Sequence, residues 1–311
     1  MSWSGRGPVL CVGEALVALV PADGTSLQAA TALTVSAAGA ELNVAVHLAR
    51  LGVPVRFAGR VGDDPLGRRL QDTLAAEAVG VDALSLVGGL PTGIYVKDPG
   101  PPGTGVHYYR ADTAASTLDR LEPGVLDDVE HVHVTGITPM LSEACRELVH
   151  DLLRARRHYS VSFDVNFRPA LCAGVEAAEL LGSMARRADI VLVGLDEASN
   201  LWGTRDPQDV RDLLDGPEQV VVKNGPDAAV CLTADGEQAR ATPDPVQFVE
   251  LVGAGDAFAA GYLSGWLRGA PTVTALRIGH LVARGVSGRS DKPGGDTDPK
   301  LLGSLPTSDR G

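Results

Sequence analysis

The chain has 311 residues, 44% of them hydrophobic and 21% charged, with 39 acidic against 27 basic side chains and a formal net charge of -12. That length holds two average domains or one large α/β unit, and either buries a core without disulfide or metal staples. The acidic balance excludes a protein whose main task is gripping nucleic acid or an anionic membrane, since both demand a basic surface, and an aromatic share of 4% leaves little for stacking on bases.

Arg6 precedes an apolar run over 8–20, but Glu14 lies inside it. A charge there spoils a signal-peptide core, so a buried first strand is expected. No run approaches the roughly 18 apolar residues of a membrane span, and a cytoplasmic protein is expected. Strands are predicted at 9–12 and 16–20. A helix follows at 39–51, with Leu42, Ala45, Val46 and Ala49 at helical spacing and Gly52 at its end. A strand at 55–61 leads to an amphipathic helix at 64–79, whose apolar row is Leu66, Leu70, Leu74 and Ala78. The Gly- and Pro-containing stretch 88–110, with short β-like pieces at 93–96 and 106–110, reads as an irregular flap. Beyond Val129, strands at 131–135, 161–165, 189–193 and 219–222 alternate with helices near 142–157, 175–187 and 254–268. Such alternation predicts βαβ units, a mainly parallel sheet, and ligands at the carboxyl ends of its strands.

Cys11, Cys145, Cys172 and Cys231 lie far apart without a C-x-x-C pair, so reduced thiols are expected. His131 and His133 alternate on one predicted strand and aim at one face, either as two metal ligands lacking a third or as solvated or hydrogen-bonded histidines. Arg154, Arg156, Arg157 and His158 read as the polar end of a helix.

The strongest local pattern is Val252-Gly253-Ala254-Gly255-Asp256, leading into the apolar helix of Phe258, Tyr262, Leu263 and Trp266. Small residues at a helix N-terminus let backbone N–H groups meet an anion closely. An aspartate there repels a resting phosphate, but suits a base that deprotonates a hydroxyl about to attack one. The simpler reading is a glycine turn with Asp256 as its cap.

Three further pieces, Gly39-Ala40-Glu41-Leu42-Asn43, Ala49-Arg50-Leu51-Gly52 and Gly59-Arg60-Val61-Gly62-Asp63-Asp64, resemble the first signature of the ribokinase-like (PfkB) carbohydrate kinases. The 253–256 segment resembles their second signature, and the resemblance runs from about Val9 to about Gly288. Within that family the chain looks most like the 2-keto-3-deoxygluconate kinases. The matching pieces are Gly13-Glu14-Ala15-Leu16, Tyr108-Tyr109-Arg110, Thr135-Gly136-Ile137-Thr138-Pro139 and Asp164-Val165-Asn166-Phe167-Arg168-Pro169.

The resemblance implies one ribokinase-like α/β domain over 1–311, a Rossmann-like central sheet flanked by helices, with a small β-sheet lid from about 15–36 and 89–111. It implies an ATP- and Mg2+-dependent kinase acting on the terminal hydroxyl of a sugar acid, with a monovalent cation such as K+ as a further activator. It also implies a homodimer or higher oligomer formed through the lids, and no nucleic-acid or membrane partner. Asp256 would be the catalytic base and the N–H groups of Gly253, Ala254 and Gly255 the anion hole. Gly39 and Asn43 would meet sugar hydroxyls, Tyr95 and Tyr108 the sugar flank, Ile137 the apolar wall, and Asp291 a late substrate contact. Asn166, Lys223, Gly225, Ala228 and His280 would face the nucleotide, and Glu197 the metal. Chemistry adds that a sugar acid needs a cation for its carboxylate and arginine offers a matching fork. Arg110 and Arg168 are the candidates, with Arg168 alternatively facing the transferred phosphoryl group and the tyrosines alternatively packing the flap.

On the nucleotide side the chain departs from the family pattern. Ala228 replaces a glycine, Gly194 replaces the Asn of N-x-x-E, Glu250-Leu251 replaces Asp-Thr, and Gly279-His280 replaces Ala-Asn. Two other functions stay open: a fructokinase- or ribokinase-type kinase of a neutral sugar, and a sugar-acid-binding protein with a degenerate nucleotide site.

Overall fold

Valine-rich runs punctuated by glycine form strands here, and amphipathic stretches opened by a capping side chain form helices. A computed structural model describes residues 5, 7–100, 105–154, 156–169, 171, 175–225, 227–243 and 253–286. The chain opens with β1 (Val9–Val12), β2 (Leu16–Pro21), β3 (Leu33–Ala38), α1 (Ala40–Arg50), β4 (Val55–Gly62), α2 (Pro65–Ala76), β5 (Leu84–Val87), β6 (Ile94–Asp98) and β7 (Gly105–Tyr109). There follow β8 (His131–Thr135), α3 (Glu143–Leu152), β9 (Ser160–Asp164), α4 (Val175–Ala185), β10 (Ile190–Gly194), α5 (Leu195–Trp202) and α6 (Pro207–Leu213). The described chain closes with β11 (Gln219–Asn224), β12 (Ala228–Thr233), β13 (Gln238–Ala241), α7 (Ala254–Trp266) and α8 (Thr272–Val286).

Among the described residues nine strands form one sheet in the order β13-β12-β11-β10-β9-β8-β1-β4-β5. It is parallel from β5 to β11, and β12 and β13 add an antiparallel edge. Because side chains alternate across a strand, Val9 and Cys11 join a core with α1, α2, α7 and α8 on one face. Leu10 and Val12 join a second core with α3, α4, α5 and α6 on the other. Both faces are therefore covered, as a parallel sheet requires.

A second sheet, ordered β3-β2-β6-β7, sits apart from the first. The chain leaves β1, turns through 13–15 and enters this small sheet with β2, which pairs antiparallel with β3 and parallel with β6. Two pieces of the segment expected to be an irregular flap, 94–98 and 105–109, therefore pair as strands, with Tyr95 opposite Tyr108.

Local chemistry sets the helix ends. Asp64 caps α2 by accepting from the Gly67 N–H at 2.8 Å, and Ser142 caps α3 by accepting from Cys145 N–H at 3.1 Å. The helix expected at 142–157 stops at Leu152. Arg154, directly after the C-cap Leu153, does stand at the helix end and donates to Asp151 of the last turn at 2.7 Å, whereas Arg157 lies beyond the helix and its Nη2 donates to Asp189 at 2.7 Å, tying the approach of β9 to that of β10. The helix expected to reach Val79 ends at Ala76, and Ala78 adopts φ 59°.

His131 and His133 are fully buried; serines of the neighbouring β9 satisfy both ring nitrogens of His131 and Nδ1 of His133, while Nε2 of His133 has no partner among the described residues. The Ser160 hydroxyl lies 2.7 Å from Nδ1 of His131, and the Ser162 hydroxyl lies 2.8 Å from both Nε2 of His131 and Nδ1 of His133. Burial pushes the two imidazoles down to about 3 and about 4, so both are neutral near pH 7. Cys11, Cys145 and Cys231 are buried free thiols, and Cys172 lies outside the described residues. No helix among the described residues is long and apolar enough to cross a membrane.

Candidate active site

The carboxyl ends of β8, β9, β10 and β11 open into a cleft of about 1200 Å³. The small sheet contributes Leu16, Tyr95, Lys97, Val106 and Tyr108 to it, with Arg110 just beyond β7. The start of α7 and one face of α8 line it as well. The structure brings Gly39, Asn43, Tyr95, Tyr108, Arg110, Ile137, Asn166, Arg168, Glu197, Lys223, Gly225, Ala228, Gly253, Ala254, Gly255, Asp256 and His280 to this one cleft. Asp291, Glu250 and Leu251 lie outside the described residues.

Asp256 stands in the first turn of α7, 8% exposed. Gly253, with φ 84°, makes the left-handed turn that starts this helix, a conformation that costs other residues about 1–2 kcal/mol. The first N–H groups of the helix have no intrahelical partners and mark an anion-binding end. Two amides hold the carboxylate: Asn43 of α1 donates from Nδ2 to Oδ2 at 2.8 Å, and Asn166, beyond β9, donates to Oδ1 at 3.2 Å. Burial dominates its titration and pushes it up to about 7; the Asn43 bond opposes the rise, Asp164 adds to it, and Arg168 and Lys223 oppose it. A carboxylate poised near neutrality is suited to accept a proton.

Lys223, at the end of β11, donates to both oxygens of Asp164 at 2.8 and 3.0 Å. Burial alone would lower the pKa of the ammonium, but Asp164, Glu197 and Asp256 outweigh it and hold its pKa above the ordinary value. Glu197 reaches back to accept from the Gly194 N–H at 3.0 Å, so it caps the helix that the absent Asn would have opened. Burial raises its pKa, with Lys223 pulling the other way. Arg168 lies 3.8 Å from Glu197, with its side chain 44% exposed.

Arg110 has different neighbours. Its Nη2 donates to Glu14, and its guanidinium carbon lies 5.2 Å from the centre of the Tyr108 ring. The two candidate clamps thus have distinct settings, Arg168 beside Glu197 and Arg110 between Glu14 and Tyr108. His280 takes the place of an amide near the far wall. Its Nε2 lies 3.0 Å from the Ala241 carbonyl and its ring meets Phe258 edge-on, with centres 5.1 Å apart.

Three residues of this site were not singled out from the sequence. Asp164 falls within the strand predicted at 161–165 and ends β9, but its pairing with Lys223 depends on β9 and β11 flanking β10. Glu41, inside the first signature, is fully buried. It accepts from Thr135 N–H at 3.1 Å and from the Thr135 and Thr138 hydroxyls at 2.7 Å each. It therefore fixes the turn that presents Ile137. Glu14 is the third. The signals were a buried acid in an apolar run and an aspartate within a predicted strand, and neither names its partner.

Residues 7–291 match the family described as pfkB family carbohydrate kinase. A 2-dehydro-3-deoxygluconokinase of Bacillus subtilis is 34% identical over 280 residues, spanning 86% of each chain. A 2-dehydro-3-deoxygalactonokinase of Haloferax volcanii is 32% identical over 282 residues, spanning 87% of this chain and 88% of the relative. The crystal structure of a PfkB protein from Polaromonas sp. JS666 superposes with a TM-score of 0.85 at 33% identity, covering 96% of this chain and all of that one. Fold, an aspartate at the head of α7 and the family match over residues 7–291 converge, and the chain belongs to the pfkB family of carbohydrate kinases.

Proposed function

We propose that the protein is an ATP-dependent kinase that phosphorylates the terminal hydroxyl of 2-keto-3-deoxygluconate or a closely similar sugar acid, giving its 6-phosphate. The observation that carries this reading is the placement of Asp256, buried and raised to about 7, in the same cleft as the Tyr108–Arg110 pair. The relatives named for 2-dehydro-3-deoxy sugar acids support the substrate class.

In this reading the sugar lies between the small sheet and Gly39, Asn43 and Ile137, with its carboxylate on Arg110. Gly39 holds φ 139°, and a Cβ there would collide with the Glu14 carbonyl oxygen, so only glycine lets α1 begin this close to the sugar. Asp256 takes the proton of the terminal hydroxyl. The freed oxygen forms a bond to the γ-phosphorus as the bond to the β–γ bridging oxygen breaks, and ADP leaves. N–H groups at the head of α7 stabilise the charge that gathers on the transferred group, so positioning and electrostatics supply most of the acceleration. Lys223 and Arg168 add positive charge on the phosphate side, and closure of the lid excludes water that would hydrolyse ATP. Mg2+ suits one or two carboxylates together with substrate phosphates, and Glu197, with Asp164 beside Lys223, supplies that donor chemistry when the ion is bound.

The whole chain is read as one kinase domain, with 15–36 and 89–111 as its lid. Leu33, Val106, Tyr108 and Tyr109 are exposed on that sheet, which supports pairing of two chains through their lids. An enzyme that consumes ATP in this way belongs in the cytoplasm.

The test is ADP release across matched sugar acids and neutral sugars, with and without potassium. The reading expects turnover of the keto acid at least tenfold above any neutral sugar. Preference for neutral sugars would assign a fructokinase- or ribokinase-type activity. Tight sugar-acid binding by calorimetry with no ADP release would assign a binding protein.

A further inference from the structure

Glu14 lies between the first strand of the main sheet and the first strand of the small one, 96 residues from Arg110 in sequence. It accepts from Nη2 of Arg110, and the two side chains are 2% and 9% exposed. A guanidinium this deeply buried requires an anion beside it, or it abandons the site. Tyr108 closes one face of the same guanidinium at 5.2 Å. Two hydrogen-bonding atoms here are buried without partners, Nε of Arg110 and Oε1 of Glu14. The arginine is thus gripped through Nη2 by Glu14 and on one face by Tyr108, while its Nε has no partner and the residue lines the cleft. Glu14 itself is backed by Gly39, whose missing Cβ leaves room for the Glu14 carbonyl, so β1, β2 and α1 all define where this carboxylate stands.

We infer that Glu14 is the positioning residue that orients Arg110 toward the substrate's carboxylate, acting through the arginine and not on the sugar. The inference rests on the assignment of the carboxylate to Arg110 made above. It has a counter-intuitive consequence. If charge alone mattered, removing a negative group beside the clamp would tighten binding of an anionic sugar. If orientation matters, the same change loosens it.

The test is Glu14→Gln in the full chain, in the wild-type background and with Arg110→Met, each assayed for KM and kcat with keto acid and with ATP. We expect KM for the keto acid to rise about tenfold or more, the scale of one charge-assisted hydrogen bond. The ATP KM should stay within about twofold. With Arg110→Met already present, adding Glu14→Gln should change the sugar KM by less than about twofold. The inference is overturned if Glu14→Gln leaves the sugar KM unchanged or lowers it, if sugar and ATP constants worsen together, or if the loss is equal in both backgrounds. Wild-type preference between the keto acid and a matched neutral sugar separately tests the underlying reading. If that preference is absent, the carboxylate assignment falls, and the same cycle run on the sugar the enzyme does take decides whether Glu14 works through Arg110.

Discussion

Asn43 offers a way to move the titration of Asp256 without touching the carboxylate. Its Nδ2 donates to Oδ2 at 2.8 Å, and among the influences on Asp256 it is the largest that favours the ionised form. A hydrogen bond to a charged group contributes about 1.5–3 kcal/mol, and a pKa unit corresponds to about 1.4 kcal/mol. Asn43→Ala should therefore lift Asp256 by about one to two units above its value of about 7. The sign follows from the role: a base must be deprotonated, so activity falls as pH drops below its pKa. In the wild-type protein kcat/KM should fall about tenfold for each unit below pH 7. In Asn43→Ala that acid limb should begin near pH 8–9, with much of the lost activity returning when assays are run above it. A titration belonging to the nucleotide would stay in place in both proteins. A limb that does not move in Asn43→Ala, or a loss that is the same at every pH, would refute the role given to Asp256 and its amide.

Other expectations test separate parts of the site and the fold. Arg110→Ala should weaken binding of the keto acid by about 10–100-fold, the scale of a charged hydrogen bond, while a neutral analogue loses far less in calorimetry; equal losses contradict the carboxylate clamp. Lys223→Met leaves Asp164, 1% exposed, without its cation, and breaking such a buried pair should cost about 3–5 kcal/mol in urea unfolding. An unchanged midpoint would show that the Lys223–Asp164 pair does not stabilise the fold. Ser162→Ala removes the partner of Nε2 of His131 and of Nδ1 of His133 together. It should destabilise by about 1–3 kcal/mol for each group left unsatisfied, with kcat unchanged. No change in unfolding would mean that the serine is not what satisfies these rings.

Much of the scaffold was legible because a sheet covered on both faces writes itself as valine runs. Val191 to Val193 and Val220 to Val222 are buried and offer no other reading. The Gly253–Asp256 pattern was legible for a different reason: a left-handed start to an apolar helix needs glycine, and an aspartate there demands an explanation. What stayed hidden depends on neighbours distant in sequence. α5 begins at Leu195, directly after β10 ends at Gly194, so no turn residue separates strand from helix. β12 and β13 pair antiparallel at one end of the sheet without a helix between them, outside the alternation that announced the others. Glu14 reads in sequence as a charge that interrupts an apolar run. Only the crossing from the main sheet to the small one shows that it faces Arg110.

The measurement closest to the central claim is the turnover and sugar binding of Asp256→Asn, measured side by side. Asparagine keeps the shape of the side chain, buried at the head of α7, but cannot accept the hydroxyl proton. The account predicts sugar-acid affinity by calorimetry within a few-fold of wild type and ADP release reduced by about 10²–10⁴, the range for loss of a general base. Near-normal turnover with intact binding would contradict it and remove Asp256 from the chemistry.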